Sequence, residues 1–154
     1  MKSILLFSII FLLGKQTFSQ TTYQTECVLQ ENVGAVTFRI WDRKKGSFYK
    51  LEAARKDAVR AILFSGISKS SNCSGAPALL RTEKERTDFK SIEQSFFAKD
   101  GPWARFTSAS TPDKAFSENP SDPKLAVFQV AVAREDLRKY LEEQKIIKSL
   151  STGF

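Results

Sequence analysis

The sequence predicts an α+β domain of two layers, a mixed or antiparallel sheet of three to four strands packed against about three helices. Three observations predict it. Apolar residues alternate with period two over Val36–Trp41 and again over Leu125–Ala133. They recur at helical spacing over 48–64, 82–98 and 134–144. The order that results, β(β)–α–α–β–β–α, groups like elements together, which points away from a parallel βαβ sheet.

In the first strand Val36, Phe38 and Ile40 alternate with Thr37 and Arg39, and Trp41 closes the run before the turn Asp42-Arg43-Lys44-Lys45-Gly46. An extended piece around Cys27–Leu29 can pair with it across Glu31–Gly34 as a hairpin. The first helix is expected from Phe48 to Phe64, with Ser47 available as its N-cap. Leu51, Ala54, Ala58, Ala61 and Ile62 share one side, and Glu52, Arg55, Lys56 and Arg60 the other. Such small alanines let a helix lie close to a sheet and make a poor lipid anchor. Gly66 can end the helix in a left-handed conformation.

A loop rich in serine and glycine runs from Ser65 to Ala78 and contains Cys73 and Pro77. Thr82-Glu83-Lys84-Glu85 then has the spacing of a capping box. Phe89, Ile92 and Phe96 form a helical stripe to about Ala98, and Lys99-Asp100-Gly101-Pro102 stops it. Trp103–Thr107 alternates weakly and is expected to be a strand, separated from the next by the proline-containing stretch 108–123. In Leu125–Ala133 the face of Ala126, Phe128, Val130 and Val132 is wholly apolar and should meet the core. A last helix over 134–144 buries Leu137, Tyr140 and Leu141; Ile146, Ile147 and Leu150 complete its layer, and Thr152–Phe154 should fray.

Residues 1–19 read as a secretion signal: Lys2, an apolar core from Ile4 to Leu13, and small residues at Thr17 and Ser19 placed for cleavage near Ser19–Gln20. Residues 20–154 then form a single domain, periplasmic or secreted, with no transmembrane segment in the mature chain. Loss of Lys2 and Lys15 takes the formal charge from +7 to +5. That charge is first that of a merely solvated surface and only second a preference for acidic phospholipid, glycan or cell-wall polymer. The two cysteines, Cys27 and Cys73, read first as one structural disulfide, with two free thiols or a bond between chains as alternatives. Cys27 lies too far beyond the apolar core for lipidation. Asn72-Cys73-Ser74 fits a glycosylation acceptor only formally.

The chain contains no histidine, which removes the commonest general base and metal ligand and with them a Ser-His-Asp triad or a His/Cys zinc site in one subunit. Phosphate-loop, dinucleotide and calcium-loop patterns are absent, and no cofactor is implied. Asp42, Glu52, Asp57, Asp88, Glu93, Asp100 and Asp113 are the carboxylates available to a small hydrolase, each in a charged or turn context that predicts solvation. Arg39, Arg43, Lys44 and Lys45 interleave with Phe38, Trp41 and Phe48, as in single-strand binders; export argues against nucleic acid as a partner. Arg43, Lys44 and Lys45 read first as a turn tip and second as a binding patch. Trp41 and Trp103 read first as buried and second as exposed anchors; as an anchor Trp103 is the first choice, because Gly101-Pro102 limits the burial of its neighbours.

The leader, the alanine-rich stretch Glu52-Ala53-Ala54-Arg55-Lys56-Asp57-Ala58 and the late strand resemble small α/β modules of bacterial cell-envelope lipoproteins, including the curli-secretion and flagellar-assembly groups. Phe18-Ser19-Gln20 is similar to the end of Bacteroidetes export signals. The resemblance covers about a tenth of the chain and departs from those lipoproteins in lacking their lipid-attachment cysteine. It implies envelope-associated assembly with no inherited catalytic residues. The expected function is that of an exported, non-catalytic domain binding another cell-envelope protein or polymer, the alternative being a small hydrolase working through carboxylates.

Overall fold

β1 (Tyr23–Gln30) and β2 (Ala35–Asp42) form the antiparallel hairpin, with Cys27 opposite Phe38 and Tyr23 opposite Asp42. A bulge between Cys27 and Leu29 shifts the register of its far end. The computed structural model describes residues 21–31, 34–109 and 125–149. The leader 1–19, most of the stretch 108–123 with Asp113, and Leu150–Phe154 lie outside the described residues.

β2 pairs on its other side with β4 (Val127–Ala133), and β4 with the short β3 (Thr107–Ala109), all antiparallel, in the order β1-β2-β4-β3. Alternation decides which residues go inward. Val36, Phe38 and Ile40 of β2 lie opposite Val132, Val130 and Phe128 of β4, and all six are buried. Thr37, Arg39, Trp41, Gln129 and Ala131 on the other face stay half-exposed. The apolar face expected of β4 is therefore the core face.

α1 (Leu51–Arg60) lies on this face through Ala54, Ala58 and Val59, and runs on into a π-helical turn, Ala61–Ser65. It begins three residues later than the spacing predicts. Gly46–Phe48 is instead a separate 3₁₀ turn, and Ser47 caps nothing because Lys50 stands at the N-cap. The break has a physical cause: Tyr49 is extended and buried, its ring edge-on to Phe128 at 5.8 Å. Gly66 ends the π turn at φ 82°, where a Cβ would sit 2.4 Å from the Ala76 carbonyl oxygen.

α2 (Glu83–Phe96) starts with both bonds of the Thr82/Glu85 capping box and joins the core through Phe89, edge-on to Phe64, Phe96 and Phe97. α3 (Arg134–Glu143) follows β4 directly and buries Leu137 and Leu141, with Tyr140 half-buried. Trp103–Thr107 departs from the expected strand: Pro102–Phe106 is a 3₁₀ helix, and only Thr107 onward is extended. Proline at its start fixes a helical φ, and Trp103 and Phe106, one 3₁₀ turn apart, both turn inward.

Candidate functional site

Cys27 on β1 and Cys73 in the Ser65–Ala78 loop form a disulfide across 46 positions. The loop is not shapeless. Ile67 bridges to Ala76 and Ser70 to Cys73, so it folds as a small antiparallel excursion that the disulfide ties to the sheet edge. Ser74 donates from its amide and hydroxyl to Gln30 Oε1, both at 3.1 Å.

This end of the hairpin bounds an open cleft of about 780 Å³. Gln30, Glu31 and Gly34 line one wall, Asn72 and Ser74 a second, and Glu135 and Lys139 of α3 the third. Gln30 and Ser74 are engaged with one another, and Glu135 with two arginines of α3. Glu135 accepts from Arg138 Nε at 2.9 Å and Arg134 Nη1 at 3.0 Å. The Arg138 hydrogen bond, only partly offset by burial and helped by the charges of Arg138 and Arg134, holds its carboxyl below the usual range.

At the opposite end of the hairpin stands the basic turn. Asp42 continues the inward series of β2 and is fully buried, against the solvated side chain expected of it. Its Oδ1 accepts from the Lys44 and Lys45 amides at 2.9 and 3.2 Å. Its Oδ2 accepts from the Thr22 hydroxyl at 2.6 Å and faces Lys45 Nζ at 3.4 Å. Burial alone would raise this carboxyl, but the bonds from Thr22 across the hairpin and from the adjacent Lys45 and Lys44 outweigh it and hold it below the usual range. Tyr49 lies beneath, with Lys45 Nζ 5.2 Å from its ring centre.

The polar chain then runs inward. Tyr49 Oη donates to Asp57 Oδ2 at 2.9 Å, and Arg60 Nη1 reaches Asp57 Oδ1 at 3.0 Å. Asp57 too is buried rather than solvated. Burial, followed by the Asp57 charge, pushes Tyr49 far above an ordinary tyrosine. Burial and Asp57, opposed by Arg60, push Tyr23 up to about 12. Asp42, Glu52 and Glu135 all shift downward, the direction that favours the carboxylate over the proton-donating acid.

Above this scaffold Arg43, Lys44, Lys45, Ser47, Phe48 and Lys50 are exposed. Phe48 is 85% exposed, the highest value among the exposed large hydrophobic side chains of the described residues. The loop is not free to collapse: Phe48 N donates to Lys45 O at 2.9 Å, Tyr49 N to Gly46 O, and Ala126 N to Gly46 O, both at 3.3 Å. Of the residues singled out from sequence, Arg43, Lys44 and Lys45 come together here. Trp41 stands at the edge, half-buried, donating to Gln24 Oε1 at 2.8 Å.

Trp103 is elsewhere and is only 3% exposed. Its Nε1 donates to Ala98 O at 2.8 Å, with Arg55 and Lys56 about its ring at 5.2 and 5.0 Å. It is a core residue, whereas Phe48 is the exposed aromatic ring of the basic turn. The sequence signal for that protrusion was Gly46 in an otherwise charged turn, which opens a second, tight turn before the helix. Among the described residues no group of three or more acidic, histidine or cysteine side chains could hold a metal ion. Nor, among them, is any helix long and apolar enough to cross a membrane. Compared with known proteins, the chain matches no family model, no curated protein and no solved structure.

Proposed function

We propose that the protein is an exported, non-catalytic domain that binds another component of the cell envelope, one of acidic character, through the loop Arg43–Lys50. One observation carries this reading: four exposed cations and a protruding Phe48 stand on a loop locked from below by Asp42. A pre-formed loop loses little conformational freedom on binding, so more of its contact energy becomes affinity. Clustered cations of one sign attract acidic surfaces and speed encounter. The carboxylates nearest this loop are occupied as hydrogen-bond and ion-pair acceptors, which favours a scaffolding role for them over a hydrolytic one.

The test is sedimentation of the protein with envelope fragments of the producing cell over a salt series. Wild type should sediment at low salt and be released as salt rises, since screening weakens exposed charge contacts. Lys44→Glu combined with Lys45→Glu should stay in solution. Equal sedimentation of that variant would remove the loop from the reading, and no sedimentation of wild type would overturn envelope binding itself.

A further inference from the structure

We infer that the acidic partner is an anionic phospholipid bilayer, with Phe48 entering the acyl boundary and Arg43, Lys44, Lys45 and Lys50 lying among the headgroups. The inference rests on the reading above and asks which acidic surface fits the loop. The eight residues Arg43–Lys50 carry one exposed aromatic ring, Phe48, among four exposed cations. A soluble polyanion supplies charge but no apolar volume for the ring. A protein partner of ordinary size covers roughly 800 Å² on each side, with apolar residues grouped at the centre and charges at the rim. Here a lone ring stands among cations. A bilayer offers both layers at the right depths, negative headgroups outside and hydrocarbon immediately beneath.

The geometry around Phe48 supports this division. Asp42, which precedes the loop, is buried beneath Lys45 and two backbone amides, so its charge is not presented to the headgroups. The 3₁₀ turn Gly46–Phe48 fixes the ring outward while Tyr49, its neighbour, turns into the core. The two sides of the turn thus have separate tasks, Tyr49 holding the loop to the domain and Phe48 facing away from it. Trp41 adds to neither, since its indole N–H is already bound to Gln24.

The experiment uses the chain from Gln20 onward, which carries every described element and lacks the apolar leader that would bind lipid by itself. Its sedimentation is measured with vesicles of phosphatidylglycerol in phosphatidylcholine, with phosphatidylcholine vesicles, and its binding to soluble polyphosphate is measured alongside. Wild type should bind the mixed vesicles and not the neutral ones. Phe48→Ser should weaken vesicle binding about tenfold to a hundredfold, the loss expected when a buried phenylalanine is removed, while leaving polyphosphate binding and the unfolding midpoint unchanged. Lys44→Glu with Lys45→Glu should abolish both kinds of binding. Vesicle binding unaffected by Phe48→Ser would overturn insertion. Binding of polyphosphate but not of vesicles would assign the loop to a polymer, overturning this inference and leaving the broader reading intact. Loss of vesicle, polyphosphate and envelope-fragment binding together would overturn both.

Discussion

Trp103 shows how a single side chain can be removed from the surface by its neighbours. The turn at Gly101-Pro102 starts a 3₁₀ helix that rolls the indole inward, where the Ala98 carbonyl takes its N–H and the cations of Arg55 and Lys56 lie about its ring. Trp103→Ala should therefore cost about 3–5 kcal/mol of stability, as large-to-small core changes do, and leave binding through the Arg43–Lys50 loop unaltered in the fraction that folds. Urea unfolding checks the first part; a midpoint equal to wild type would return Trp103 to the surface. Asp42 and Asp57 carry the reverse lesson. Charged neighbours point both toward solvent, yet Asp42 keeps the parity of Val36, Phe38 and Ile40, and Asp57 shares helical spacing with Ala54, Ala58 and Ala61. Spacing held the signal, and burial became tolerable because each carboxylate is fully partnered: Asp42 by Thr22 and the Lys44 and Lys45 amides, Asp57 by Tyr49 and Arg60.

Among the elements, those with a strong local code match their sequence expectation. The Thr82 capping box, the Phe89–Phe96 stripe and the alternation of β4 each concern residues that decide their own conformation. Elements set by distant partners were not legible. α1 begins late because Tyr49 is drawn toward Phe128 and Asp57, contacts no local pattern announces. The pairing of β4 with β2 is likewise set across the chain, since its alternation suits several neighbours; its antiparallel pairing with β3 is the long-looped hairpin that the order of the two strands suggests. Phe48, the residue that now defines the candidate site, was legible as part of a basic and aromatic run but not as the crest of a turn. The Ser65–Ala78 loop owes its order to Cys27–Cys73. Closing 46 positions limits the unfolded chain by about 4 kcal/mol in the loop-entropy treatment. Replacing both cysteines by alanine should lower stability by roughly that amount, and intact-mass analysis before and after reduction should show a two-proton gain only in wild type. Two thiols alkylated without reductant in the native protein would contradict the bond.

For the whole molecule, carboxylates and tyrosines at both ends of the hairpin, whose titration the fold shifts, set the pH range of the fold. Asp42 and Glu135 have folded values below those of an unfolded carboxyl, so their contribution is complete above about pH 4 and is lost as pH falls through the lowered folded values. Tyr23 and Tyr49 are raised instead. Their neutral forms are favoured in the fold, so this contribution is complete below the unfolded tyrosine value of about 10 and is lost as pH rises toward about 12, where Tyr23 titrates. Stability should thus be level between these limits and decline on both sides, read as the urea midpoint across a pH series. Asp42→Asn should lower the plateau and flatten the acid limb; Tyr23→Phe should flatten the alkaline one. An acid limb identical in wild type and Asp42→Asn would show that Asp42 is not held by its charge. The substitution has a second consequence, because the Lys44 and Lys45 amides share the same carboxylate. With an uncharged acceptor there, the loop should lose rigidity, and its binding should weaken even though no residue of the exposed surface has changed.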